Sequence, residues 1–332
     1  MRAVTVTAPS SIAVTDVGEP ESDGGVLVKC QTVGICGTDV KVLKGAIPVE
    51  YPRVMGHEVI GEVVEAPPGS GVTAGQRVLI DPASSCGHCD LCHRGKPHLC
   101  RNAGLMGREV DGVFAEYVRV PARRVLGVPD SISDRAGGVL QVLGTCVHAQ
   151  KSIDVFPGQV AAVIGLGVSG QLMVQLLRER GVTVVGVTRS EWKRELAAEH
   201  GAAATAAPDA AEAVLSELTD GRGPDLVVEA VGTERTLAQA IELVGIGGEV
   251  LVFGTLTGGD AGLPYYQLYY KELTLHNPRA AVPGDYAAGI ELAASGRLEL
   301  EPIVTHTLEL GEAKRAFELV HDPSSLKVLM NV

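Results

Sequence analysis

Four of the seven cysteines fall between positions 86 and 100, as Cys86, Cys89, Cys92 and Cys100, in the spacing C-x2-C-x2-C-x7-C. Tetrahedral zinc takes four thiolates at about 2.3 Å, and a C-x2-C turn offers two of them to one ion. Four thiolates in one short stretch, Asp81 to Cys100, leave no open coordination position, so a zinc held there is structural. Two readings compete. Paired disulfides suit small secreted domains in an oxidising compartment. A four-iron cluster is the other, but its usual bacterial run ends in Cys-Pro, and here Arg101 follows. His88, His93 and His98 lie in the same stretch and are read as solvated, because four thiolates already suffice.

Two more pieces carry donor atoms. G-I-C-G-T-D ends at Asp39 and V-M-G-H-E ends at Glu58. Cys36, His57 and Glu58 offer one sulfur, one nitrogen and one oxygen, the mixture expected of a catalytic zinc. A lone cysteine is more often a small buried hydrophobe. Cys30 and Cys146 are read that way, as buried inert thiols.

A third piece is glycine-rich. The apolar run Val160 to Ile164 is followed by Gly165-Leu166-Gly167-Val168-Ser169-Gly170, then by a helical stretch from Gln171 to Arg180 closed by Gly181. Strand, G-x-G-x-x-G, helix is the context in which this motif binds a dinucleotide. Gly165 makes the turn, Gly167 lets the backbone approach a pyrophosphate, and Gly170 lets helix pack on strand. Val168 and Ser169 open the helix, whose N-terminus attracts phosphate. After the next strand, Thr183 to Val187, an NAD site normally places an acid on the ribose. This chain has Thr188-Arg189-Ser190 instead. Arg189 is a forked donor suited to a 2′-phosphate, with Thr188 and Ser190 adding hydroxyls, so NADP is favoured over NAD. The competing reading makes Arg189 a solvated charge and gives the ribose to Glu191.

The elements that must position these residues differ between the two parts of the chain. A length of 332 residues usually makes two domains. Up to about residue 130 the sequence is rich in Gly, Pro and β-branched residues. Strands are expected at Ala3 to Thr7, Ile12 to Val14, Val26 to Val33 after the Asp23-Gly24-Gly25 turn, Val59 to Val64, Arg77 to Leu79 and Phe114 to Val120. Beyond about 150, strands and helices alternate, which implies a parallel doubly wound sheet. Strands are expected at 226–229, 249–253 and 273–275, and helices at 191–200, 210–218 and 236–243. The stretches 221–224 and 257–262 read as loops. The last part adds a helix at 286–295, a strand at 303–308, a helix at 312–321 and a strand at 327–331. The net charge of -12 argues against nucleic acid or an anionic membrane as the main partner. No apolar run reaches the roughly 18 residues that a membrane span needs. No signal peptide is read at the N-terminus, so a reducing, cytoplasmic setting is expected, which favours metal over disulfide.

Taken together, G-I-C-G-T-D, G-H-E, the four-cysteine loop and G-x-G-x-x-G, in that order, resemble the zinc-containing medium-chain dehydrogenase/reductase family, the alcohol, sorbitol and threonine dehydrogenase group. The resemblance covers essentially the whole chain. It implies an α/β architecture. A GroES-like, mostly-β catalytic domain would span residues 1–150, with a structural zinc lobe at about 81–102, and be completed by 278–332. A Rossmann dinucleotide-binding domain would span 151–277. It implies two zinc ions per chain, a small-molecule alcohol or ketone substrate, and a homodimer or homotetramer. Cys36 and His57 would ligate the catalytic zinc, and Glu58 would ligate or sit just behind it. Thr38 would pass on the alcohol proton, and Asp39 would hold the His57 ring. Two departures stand out. Gln141 occupies the position of the family's further ligand, a Cys or Glu, and can offer a neutral oxygen, as in sugar-oxidising relatives. Lys41 stands where many relatives carry a relay histidine. The implied reaction interconverts a secondary alcohol of polyol, sugar or cyclitol type with its ketone, by hydride transfer to a nicotinamide. The alternatives are an NADPH-dependent aldehyde or ketone reductase acting on non-sugar substrates, and a non-catalytic zinc- and NADP-binding protein.

Overall fold

A computed structural model describes residues 1–21, 24–256 and 262–332. Position 23 of the expected first turn, and the expected loop at 257–262 apart from Gly262, lie outside them. The chain divides into two compact units. One is Met1–Gly144 with Ala280–Ser295 and Leu300–Val332; the other is Thr145–Arg279 with Gly296–Glu299. The changeover falls inside the helix Leu140–Gln150, ahead of the texture change read near 150. Gly296–Glu299 goes with the second unit for a visible reason. The Gln175 side chain bonds Glu299 at both its N–H (2.6 Å) and its carbonyl (3.0 Å), and Arg178 donates to the Arg297 carbonyl (2.9 Å).

The first unit is built on a seven-stranded sheet. Its main path runs Val125–Gly127, Arg77–Ile80, Val59–Glu65, Val26–Gly34, Lys327–Asn331, Val304–Glu309, and Tyr117–Val120 pairs with Val26–Gly34 off that path. The final strand thus enters between Val26–Gly34 and Val304–Glu309, with Leu329 opposite Gly34 and Met330 opposite Val33. The strand Val26–Gly34 buries Val26, Val28, Cys30 and Thr32 and leaves Leu27, Lys29 and Gln31 between them less covered, the alternation of a sheet with one face on the core. The core below it is aliphatic, with the Phe114 and Phe317 rings edge to face at 6.3 Å. The strand expected over Phe114 to Val120 begins only at Tyr117. Phe114 instead donates its N–H to Met55 (2.9 Å) and lays its ring on Gly56. Gly56 has φ +94°, and a Cβ there would come 2.0 Å from that ring, so only glycine fits before His57.

The second unit is a six-stranded parallel sheet. In space its strands run Ala204–Ala206, Thr183–Val187, Val160–Ile164, Leu226–Glu229, Glu249–Val252, Thr274–His276. Counted along the chain this is 3-2-1-4-5-6, the dinucleotide-binding order, with its switch point between Val160–Ile164 and Leu226–Glu229. Val160–Ile164 is buried at every position. Among elements not expected from sequence are the helices Gly37–Leu43, Leu140–Gln150 and Tyr265–Tyr270 and the short strand Ala204–Ala206. No described helix is long and apolar enough to cross a membrane.

Candidate active site and metal centres

The four sulfurs of the lobe converge. Cys86 and Cys92 lie 4.0 Å apart, Cys89 and Cys92 3.5 Å, Cys89 and Cys100 3.8 Å, and Cys86 and Cys100 3.5 Å. Four bonds of about 2.3 Å to one tetrahedral ion place sulfurs roughly 3.8 Å apart. All seven cysteines are free thiols, so the disulfide reading does not hold in this structure. The loop is prepared for anionic sulfur. The N–H groups of Cys86 and Asn102 both donate to the Cys100 Sγ at 3.3 Å. Backbone donation, chiefly from Arg101, pulls Cys89 down to about 6, whereas burial pushes its neighbour Cys92 up to about 12. The lobe is closed at its base by the pairing of Ala83–Ser84 with Gly104–Leu105, and outside by a two-pronged Arg101–Asp90 ion pair at 2.7 and 3.0 Å.

The second cluster is assembled from distant pieces. Cys36 caps the short helix Gly37–Leu43, which carries Thr38 half-buried and Asp39 fully buried in its first turn. Asp39 accepts the Cys36 N–H through Oδ2 at 2.8 Å and faces His57 Nδ1 through Oδ1 at 3.3 Å. One carboxylate therefore fixes the helix entry and the imidazole orientation together. Burial alone would lower the His57 pKa, but the Asp39 and Cys36 charges and hydrogen bonds prevail and raise it well above the ordinary value. Donor atoms of Cys36, His57 and Glu58 lie within 4.8 Å of one another. Glu58 is 1% exposed. Its Oε2 pairs with the equally buried Lys327, whose Nζ also donates to the Ile35 carbonyl at 3.1 Å. Its Oε1 has no partner among the described residues. A buried orphan oxygen beside a thiol and an imidazole is what a cation would satisfy. Sequence reading missed Lys327, which no local pattern ties to position 58.

Gln141 opens the helix Leu140–Gln150, is 8% exposed, and donates from Nε2 to the Tyr286 hydroxyl at 3.4 Å. Lys41 lies on the Gly37–Leu43 helix, half-buried. Cys30 and Cys146 are buried; burial pushes the Cys30 thiol up to about 12 and raises Cys146 further.

In the second unit the three motif glycines differ in what surrounds them. Gly165 turns with φ +94° against Ala230 and Val231; a Cβ on Gly170 would lie 1.9 Å from the Gly165 carbonyl; around Gly167 there is open space. Gly167 therefore has room for a group to approach its backbone, at the entry to the helix Val168–Glu179 that Val168 and Ser169 begin. Beyond the next strand, Thr188 and Ser190 are half-buried and Arg189 is exposed. Arg194 shapes this turn, donating from Nη1 to the Thr188 and Arg189 carbonyls at 2.9 and 3.0 Å. Glu229 ends the strand at the switch point, fully buried. It gathers the Val231 and Gly232 N–H groups and the Thr236 hydroxyl on one oxygen, at 2.8 to 2.9 Å. Neither residue stood out in the sequence, since each serves the fold of a loop rather than a motif.

Residues 22–130 match the family model described as the alcohol dehydrogenase GroES-like domain, and residues 168–295 match that described as zinc-binding dehydrogenase. An L-threonine 3-dehydrogenase of Shewanella woodyi is 31% identical over 343 residues, covering 100% of this chain and 99% of its own. Among solved structures, a zinc-binding dehydrogenase from Sinorhizobium meliloti bound to NADP superposes with a TM-score of 0.93 at 34% identity, covering 100% of this chain and 99% of the other. An alcohol dehydrogenase from Thermus sp. ATN1 gives 0.92 at 32% identity, covering 100% of both.

Proposed function

The chain belongs to the zinc-containing medium-chain alcohol dehydrogenase family and is an oxidoreductase, and from that premise we propose that it oxidises a secondary alcohol to its ketone with NADP, using two zinc ions per chain. The observation that carries the reading is the convergence of one sulfur, one nitrogen and one orphaned oxygen, from Cys36, His57 and Glu58, within 4.8 Å. Cys36, His57 and the amide oxygen of Gln141 would hold the catalytic zinc, with Glu58 against it. Cys86, Cys89, Cys92 and Cys100 would hold the structural one. When bound, the catalytic zinc supplies a Lewis acid that lowers the pKa of a substrate hydroxyl.

The chain's own residues do the rest. Asp39 holds His57 Nδ1, so the ring presents Nε2 and keeps one orientation. Thr38, in the first turn of its helix, would accept the hydroxyl proton while passing its own on towards solvent, so that it relays the proton rather than keeping it. Lys327 takes up Glu58 Oε2 and leaves Oε1 facing the cluster without a partner among the described residues. Gly167 and the start of the helix Val168–Glu179 receive the pyrophosphate, and Arg189 with Thr188 and Ser190 receives the 2′-phosphate. Asp39, His57 and Glu58 are themselves buried, so their interactions with one another are little screened by solvent.

The substrate class proposed is a secondary carbinol flanked by polar groups, such as a polyol, sugar or cyclitol. L-Threonine, named for the Shewanella relative, carries a carbinol of the same kind and belongs in the same screen. Metal analysis should return two zinc ions per chain, and a panel of secondary alcohols should turn over faster with NADP than with NAD. One zinc per chain and no turnover would leave only a structural site. NAD preference would reduce Arg189 to a surface charge.

A further inference from the structure

Gln141 differs from a cysteine or glutamate ligand in one respect: its amide has a right end and a wrong end. Only the carbonyl oxygen can ligate a metal; the NH2 group is a pair of donors. At 8% exposure the nitrogen end needs an acceptor of its own, or it competes to face the site. The structure gives it one. Gln141 Nε2 donates to the Tyr286 hydroxyl, and Tyr286 is 1% exposed.

The approach that brings this hydroxyl to Gln141 is cut into both helices. Gln141 and Gly144 are three residues apart on Leu140–Gln150, and Tyr286 and Gly289 three apart on Pro283–Ala294, so each pair shares a face. The Tyr286 ring lies in the notch at Gly144, where a Cβ would stand 2.2 Å from its Cδ1. A Cβ on Gly289 would be 3.5 Å from the Gly144 nitrogen, so the helices meet backbone to backbone. The ring is thereby laid along the helix with its hydroxyl at the residue one turn earlier.

We propose that Tyr286 is a positioning residue that fixes the orientation of the Gln141 amide, keeping its nitrogen turned away and its oxygen free for the catalytic metal. The proposal rests on Gln141 being a ligand. The experiment therefore uses Gln141→Ala, Gln141→Glu, Tyr286→Phe and the double variant Gln141→Glu/Tyr286→Phe. Two quantities are read on the full-length protein: zinc affinity by competition with a chromophoric chelator, and the visible spectrum after cobalt substitution. The four-cysteine zinc serves as the internal reference. Tyr286→Phe should weaken zinc at the Cys36 site by about tenfold, the lower end for residues that orient a ligand, and shift the cobalt bands. In the Gln141→Glu background the same change should have no effect, because a carboxylate has no wrong end. Equal losses in both backgrounds would mean that the ring acts by packing alone and would overturn the proposal. So would a Tyr286→Phe protein identical to the parent while Gln141→Ala loses affinity. If Gln141→Ala itself leaves affinity and spectrum unchanged, the ligand reading fails and the proposal falls with it. Gly144→Ala gives a second route, since it keeps the hydroxyl but displaces the ring; it should reproduce the Tyr286→Phe phenotype, and a parental spectrum there would count against the proposal.

Discussion

The two candidate metal centres are built by opposite means. The lobe draws all its donors from Cys86 to Cys100, in a loop closed by one two-stranded pairing. The Cys36 site draws on a helix cap, the end of a turn and a lysine on the last strand, and, in the proposed ligand set, on Gln141 of the helix at 140. A local site needs only its loop to form. An assembled site needs the whole unit, and each donor depends on a partner that holds it: Asp39 for His57, Lys327 for Glu58. The lobe has spent every donor on closure, whereas the assembled site keeps an unpartnered oxygen, Glu58 Oε1. Closure suits structure, and an unfinished coordination shell suits chemistry.

The contrast is broken most severely by removing a donor. Cys36→Ala should lower turnover by roughly 10³-fold or more, since a Lewis acid contributes several kcal/mol to such a step. The same protein should keep one zinc per chain by metal analysis; loss of both ions would mean that the sites are not independent. Next is the partner that holds a donor. Lys327→Met leaves the buried Glu58 carboxylate without a cation and should cost about 3–5 kcal/mol, read as a lowered denaturation midpoint. An unchanged midpoint would show that the pair is not formed in solution. Cys100→Ala tests the local side. It should release one zinc and raise hydrogen exchange across about residues 81–105, while exchange in the Val59–Glu65 strand stays as before. Spread of the exchange into that strand would erase the distinction. Smallest is Arg189→Gln. Loss of one charge-assisted contact, about 1.5–3 kcal/mol, should raise KM for NADPH by roughly 10- to 100-fold and leave KM for NADH within about twofold.

The same contrast explains what was legible in the sequence. The lobe could be read because its four ligands are close in the chain, and spacing is the whole of its geometry. The parallel sheet could be read from alternation, and Val160–Ile164, Thr183–Val187 and Leu226–Glu229 fall where expected. Cys36 and His57 stood out through short glycine-flanked motifs. Lys327 and Tyr286 did not, because they sit 269 and 145 positions from the residues they hold, and no periodicity encodes such a pairing. The helix Leu140–Gln150 escaped for another reason. L-Q-V-L-G-T-C-V-H-A-Q is apolar nearly all round and interrupted by Gly144, so it shows no amphipathic stripe. The helix Gly37–Leu43 is too short to show a period at all.

The Glu58–Lys327 pair also sets an order of events during synthesis. A ribosome adding roughly 5–20 residues per second takes on the order of tens of seconds to pass from one member to the other. The lobe is fully encoded by then, and so is the whole parallel sheet. The carboxylate at 58 waits for a cation until the final strand slots between Val26–Gly34 and Val304–Glu309. The four cysteines come together on a nascent chain, whereas the cluster of Cys36, His57 and Glu58 reaches the form seen here only after the strand carrying Lys327 has left the exit tunnel.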